Sequence, residues 1–175
     1  LLLYVDLETY LATMLRPEVR RETLLFARDF RIDDFRRLVP GAAPSVDDYS
    51  PAQLAAMSWL LHARELVTAL DDEAVQGRVR ALDFDQFLDA PVRHLQDLCG
   101  LFGQPQDPEA LAAIAARVMG RSAKDPKRDF GAQQRRQALA AARGAHRAEI
   151  EAGMAWAARV ESAAPTFRGL GDRLS

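Results

Sequence analysis

The chain has 175 residues, 49% of them hydrophobic, and a formal net charge of −2. That size suits one globular domain with a sizeable core, and the charge balance excludes a dedicated nucleic-acid binder, which would be clearly basic. A single cysteine, Cys99, excludes an intrachain disulfide framework. No apolar run approaches the roughly 18 residues that span a bilayer, so no membrane partner is expected and a cytoplasmic setting fits.

Leu1 to Val5 is a continuous apolar run and reads as a buried parallel strand. A helix over Leu7–Leu15 follows, with Leu7, Leu11 and Met14 on one face. Pro17 is suited to the first turn of a second helix, which runs to about Phe30. Ile32 to Val39 forms a short helical piece stopped by Pro40 and Gly41, and a polar loop extends from Gly41 to Tyr49. Ser50, Pro51 and Gln53 make a strong helix start: a cap, a first-position proline and a capping box. That helix turns Leu54, Met57, Leu61, Leu66 and Leu70 inward, and the acidic stretch from Asp71 breaks it.

Val79 to Phe84 reads as a second strand, with Phe84 to Leu88 as its exit. Asp89, Ala90 and Pro91 open the next helix, whose Val92, Leu95, Leu98, Cys99 and Phe102 form an apolar stripe ended by Gly103. Asp107 caps another helix, which stops at Gly120. A basic loop covers Arg121 to Gly131. The last helix spans about Ala132 to Ala163, weakened at Gly144 and Gly153, and the tail after Phe167 is expected to be loose. Two strands joined by a long helical crossover predict a helix-rich α/β fold with a parallel sheet. Two strands alone make a poor sheet, and the chain opens on Leu1, so it reads as part of a larger domain.

The basic stretch carries the clearest chemical signal. Arg121 to Arg136 holds six basic residues against two acidic ones, a local balance of +4 in a chain of net −2. A cationic loop running into a helix start suits phosphate or sulfate groups, since side chains pair with the anion and free N–H groups add to the field. A solvated charged loop has the same composition, and on charge alone it is the commoner reading. His62, His94 and His146 are isolated in sequence, with no metal-ligand spacing, and are expected to be structural. Cys99 is read as a buried, inert thiol. Asp33-Asp34, Asp47-Asp48 and Asp71-Asp72-Glu73 sit at helix starts and turns, where acids serve as caps, and Trp59 and Trp156 are expected in helix interfaces.

Leu82-Asp83-Phe84-Asp85-Gln86-Phe87-Leu88-Asp89-Ala90-Pro91, with the helix to Phe102-Gly103, resembles the late strand and helix of sulfotransferases. Arg121, Lys124, Pro126, Phe130 and Arg135 fall where bacterial sulfotransferase-like sequences carry Arg-aromatic-Ser-Lys-x-Pro, then an aromatic residue, then Arg. The strand at Leu1–Val5 sits where that family has a core strand followed by a helix. The resemblance covers most of the chain, in order. It implies residues 1–175 are the C-terminal part of a single three-layer P-loop-type domain, with the N-terminal phosphate-loop strand missing.

It further implies a parent protein that moves a sulfuryl group from 3′-phosphoadenylyl sulfate to a hydroxyl or amine of a small-molecule acceptor, with no metal. Arg121, Ser122, Lys124, Arg135 and Thr13 are the donor-binding candidates on this resemblance; no catalytic base is assigned. The chain departs from the pattern at Asp6, where an Arg is usual, on the following helix, where a Ser is usual and only Thr9 and Thr13 stand, and at Ala123, where a Ser is usual beside Ser122. No G-x-x-x-x-G-K-[ST] loop occurs, and the 175-residue chain alone is expected not to turn over. Two other readings stay open: a non-catalytic helical binding or regulatory module on a degenerate frame, and another P-loop transferase such as a small-molecule kinase.

Overall fold

A computed structural model describes residues 1–17, 19, 31–75, 77–120 and 131–174. The expected helix from Pro17 to Phe30 and the basic loop from Arg121 to Gly131 lie outside these residues, apart from Pro17, Val19 and Gly131. Two short strands, β1 (Leu2–Tyr4) and β2 (Ala81–Asp83), pair in parallel with Leu3 opposite Leu82. Between them run α1 (Leu7–Met14), α2 (Ile32–Leu38) and the long α3 (Pro51–Asp71). After β2 come α4 (Phe84–Asp89), α5 (Pro91–Leu101), α6 (Pro108–Val118), α7 (Ala132–Ala145), α8 (Arg147–Ala163) and α9 (Leu170–Leu174). The chain is a helix-rich α/β protein with a parallel strand pair, as its sequence predicts.

The centre of the fold is α3. Ser50 caps it by accepting from the Gln53 N–H, and the Gln53 side chain accepts from the Ser50 N–H at 2.7 Å. From Ala52 to Leu61 the buried positions fall on every side of the helix, as they do only in a helix surrounded by others. Helix α8 crosses it through a stripe of Ile150, Gly153, Ala157 and Val160, at helical spacing. Gly153 allows this close crossing. A Cβ there would come within 3.1 Å of Leu11 Cδ1 and 3.3 Å of both the Ala52 Cβ and its carbonyl oxygen. This glycine is thus a packing residue, where the sequence suggested a weak point. Phe35, Tyr49, Trp156 and Phe167 stack around one end of the core, with Phe35 and Trp156 ring centroids 5.5 Å apart.

Four expectations are corrected. The strand at Leu1–Val5 is not buried: Leu3 is 52% exposed, and among the described residues no third strand flanks the pair. Phe84 begins a helix instead of ending a strand, because the Asp83 carboxylate accepts from the N–H groups of Asp85 and Gln86 at 2.8 and 2.9 Å and starts α4 there. The tail after Phe167 is not loose. Phe167, Leu170 and Leu174 are buried, and α9 packs on α3. The long last helix divides at His146, yet the bonding passes through: His146 donates to the Ala142 carbonyl and accepts from the Ile150 N–H, both at 2.9 Å. The chain bends there and continues. Among the described residues, no helix is long and apolar enough to cross a membrane.

Candidate functional site

Both strands point their carboxyl ends the same way, and in open parallel sheets the crevice beyond those ends is where ligands bind. A cavity of about 440 Å³ lies there, within the size range of small-molecule sites. Val5 and Phe84, the residues near the two strand exits, line it together with Tyr10, Thr13 and Met14 from α1, Trp59, His62 and Leu66 from α3, and Arg135 from α7. The helices are fixed around it by polar bonds. Trp59 donates its indole N–H to the Val5 carbonyl at 2.8 Å, tying α3 to the exit of β1. Asp6 caps α1, accepting from the Thr9 N–H at 2.7 Å and from its hydroxyl at 2.9 Å.

Two of the five residues singled out from the sequence, Thr13 and Arg135, line this cavity although 122 positions separate them. The other three, Arg121, Ser122 and Lys124, lie outside the described residues. Thr13 donates its hydroxyl to the Thr9 carbonyl at 2.9 Å and retains lone pairs as an acceptor. Thr9 is buried and already serves Asp6 and Arg143, whose guanidinium reaches its oxygen at 3.0 Å. It is therefore committed to structure. Asp6, which stands where the resemblance expects an arginine, is the cap of α1 and offers no cation.

Arg135 sits in the first turn of α7, next to Arg136. Cations at a helix N-terminus oppose the helix dipole, and two aspartates one turn apart on α4 offset them. Asp85 accepts from Arg135 Nε at 2.5 Å and from Nη2 at 3.4 Å, while Asp89 accepts from Arg136 at 2.7 Å. The Arg135 guanidinium also lies over the Phe84 ring, 4.9 Å from its centroid. Its orientation is thereby fixed on two sides. The sequence fragment Asp85-x-x-x-Asp89 carried this information only as helical spacing; its partners lie some 47 to 50 positions away.

His62 is a cavity residue that sequence spacing did not single out. Arg31 approaches its Nε2 at 2.5 Å and bonds Glu65 at 2.8 Å. An arginine can only donate, so Nε2 accepts and the ring carries its proton on Nδ1. Burial, then the Arg31 charge, pushes the imidazole below its ordinary value of 6.5, against a smaller opposing pull from Glu65. Burial likewise raises the Tyr10 phenol. His62 is thus neutral at neutral pH, with its basic nitrogen engaged by Arg31. His94 packs near Phe87, and His146 lies 3.2 Å from Glu149. Among the described residues no group of three or more His, Cys, Asp or Glu side chains could hold a metal ion.

The α5 stripe did not become a core. No residue of α5 is buried, Cys99 is half-buried, and Phe102 is 61% exposed. Comparison with protein-family models, with curated proteins and with solved structures finds no match to this chain.

Proposed function

We propose that the chain is the C-terminal part of a sulfotransferase-like domain of the P-loop type, acting on a small-molecule acceptor in the cytoplasm. The observation that supports this reading most is the meeting of Thr13 and Arg135 at one cavity beyond the carboxyl ends of two parallel strands. Arg135 falls at a position of the sulfotransferase-like pattern, and Thr13 is one of the two threonines, with Thr9, on the helix where that pattern carries a Ser. The basic stretch from Arg121 leads directly into the helix that carries Arg135.

In such a reaction the acceptor oxygen or nitrogen attacks sulfur in line, and the bond from sulfur to the bridging phosphate oxygen breaks. The acceptor's proton passes to a base, and adenosine 3′,5′-bisphosphate leaves. Arg121, Ser122 and Lys124 grip the donor's phosphates on this reading, while Arg135 and Thr13 stand on the wall where donor and acceptor meet. His62 in its present bonding is a poor base, because Arg31 holds its lone pair.

Calorimetric titration of adenosine 3′,5′-bisphosphate into the protein extended upstream to include the phosphate-binding loop that this reading implies tests it, with Lys124→Ala measured beside the wild type. The expected result is micromolar binding that Lys124→Ala weakens at least tenfold. Absence of binding would remove the donor reading and favour a binding module that keeps the same frame.

A further inference from the structure

Arg135 and Arg136 are neighbours held in different ways. Asp85 meets the Arg135 guanidinium side-on, with Nε donating to Oδ1 at 2.5 Å and Nη2 to Oδ2 at 3.4 Å. The Phe84 ring bounds the same group on one face, 4.9 Å from its carbon, and only 13% of the Arg135 side chain is exposed. Arg136 pairs with Asp89, one turn further along α4, but both of those side chains are 64% exposed. A pair of that kind fixes little. Phe84 and Arg135 line the cavity, and Asp85 does not. Asp85 therefore bears on the cavity through the guanidinium that it holds.

A guanidinium carries five N–H donors in a planar fork. Asp85 takes the side edge, and among the described residues Nη1 has no partner. The end edge, Nη1 with the second N–H of Nη2, is left for a pair of oxyanion oxygens. A freely rotating arginine would lose rotamer freedom on making that contact, whereas the clamped one has lost it on folding. A carboxylate beside a binding cation also repels an incoming anion, so its two effects have opposite signs. The geometry favours the first, because Asp85 lies on the side edge and off the cavity wall. We infer that Asp85 is a positioning residue for Arg135: it holds the end edge of the guanidinium ready for the donor's phosphate oxygens without touching the donor itself. The identity of that anion rests on the proposed transferase reading.

The test titrates adenosine 3′,5′-bisphosphate into the protein extended upstream in the same way. The wild type is compared with Asp85→Ala, Asp85→Asn, Asp89→Ala, Arg135→Gln and the double variant Asp85→Ala with Arg135→Gln. The expected result is binding weakened roughly tenfold in Asp85→Ala. A smaller loss is expected in Asp85→Asn, whose amide oxygen can still accept from Nε. Asp89→Ala, which removes the same charge from the exposed pair, is expected to change the affinity by less than about twofold. In the Arg135→Gln background Asp85→Ala is expected to have no further effect, since a positioning residue acts through the group it positions. A role in stability alone would weaken binding in both backgrounds alike, and that result would overturn the inference. Unchanged or tighter binding in Asp85→Ala would show that the carboxylate only competes with the anion, which overturns the inference and keeps the transferase. Should Asp85→Ala fail to fold, Asp85→Asn in the two arginine backgrounds makes the same comparison. No binding by the extended wild type would overturn the inference and the transferase together.

Discussion

The α3–α8–α9 side of the molecule and the α5–α6 side are written in the same amphipathic code and end in opposite states. Both carry apolar residues three and four apart along their helices. On the first side Leu11, Met57, Leu60, Ala157 and Phe167 lose all contact with solvent. On the second, α5 buries no residue, and Phe102, Ile114 and Val118 remain exposed. The difference lies in what faces each stripe. Helix α3 is met by α1, α8 and α9 from several directions, whereas α5 and α6 pack chiefly on each other. An amphipathic stripe therefore specifies a helix and a sticky face, and only the surrounding elements decide whether that face becomes a core.

The comparison breaks most visibly through paired truncations. Phe167→Ala should cost about 3–5 kcal/mol of stability in a denaturant titration, since a fully enclosed ring leaves a cavity. Phe102→Ala should stay within about 0.5 kcal/mol, as surface changes do. Equal losses at the two sites would mean that α5 is packed as tightly as the core.

A second variant sharpens the account of the packed side. Gly153→Val pushes side-chain atoms into Leu11 and the Ala52 backbone, and overpacking of this kind costs about 1–3 kcal/mol. Gly144→Val, where an added Cβ meets nothing within 4 Å, should be neutral or gain about a few tenths of a kcal/mol, because valine has the better helix propensity. Thermal unfolding of the two variants side by side distinguishes a packing glycine from a spacer.

The Asp85–Arg135 pair docks α4 on α7, together with Asp89–Arg136. A double-mutant cycle with Asp85→Asn and Arg135→Gln should give a coupling of about 0.5–3 kcal/mol, in the range of neighbours within one ion-pair network. Additive effects would mean that the pair does not hold the cavity wall together.

The smallest effect expected is a pH dependence from His62. Its folded value lies below 6.5, so the unfolded chain binds more protons at that site. Stability should therefore fall as the pH drops through 6.5 and towards the folded value, and be fully present above it. In His62→Gln that part of the slope between pH 7 and pH 5 should disappear from denaturation midpoints. An unchanged slope would show that His62 is not buried against Arg31.

Much of the framework was readable from the residues. Ser50-Pro51-x-Gln53 and Asp107-Pro108 announced their helices because capping is a local bargain between a side chain and the next few N–H groups. The parallel pairing of Leu1–Val5 with the strand near Leu82 followed from the helical crossover between them. Other features depend on partners far away in sequence. Gly153 looked like a weak helix residue until α1 and α3 were seen against it. The tail after Phe167 looked loose because Leu170 and Leu174 are too few to show a period. Of the site, Thr13 and Arg135 were picked through a resemblance, and their common cavity is a fact of three dimensions. His62 gave no signal at all, since a single histidine on a helix becomes informative only through Arg31 and Glu65.

The most direct test of the account is whether adenosine 3′,5′-bisphosphate binds the protein extended upstream to include the phosphate-binding loop that the proposed function implies. Calorimetric titration of the wild type, with Lys124→Ala and Arg135→Gln beside it, measures this. The account predicts micromolar binding that both substitutions weaken. Absence of binding by the extended wild type would contradict it.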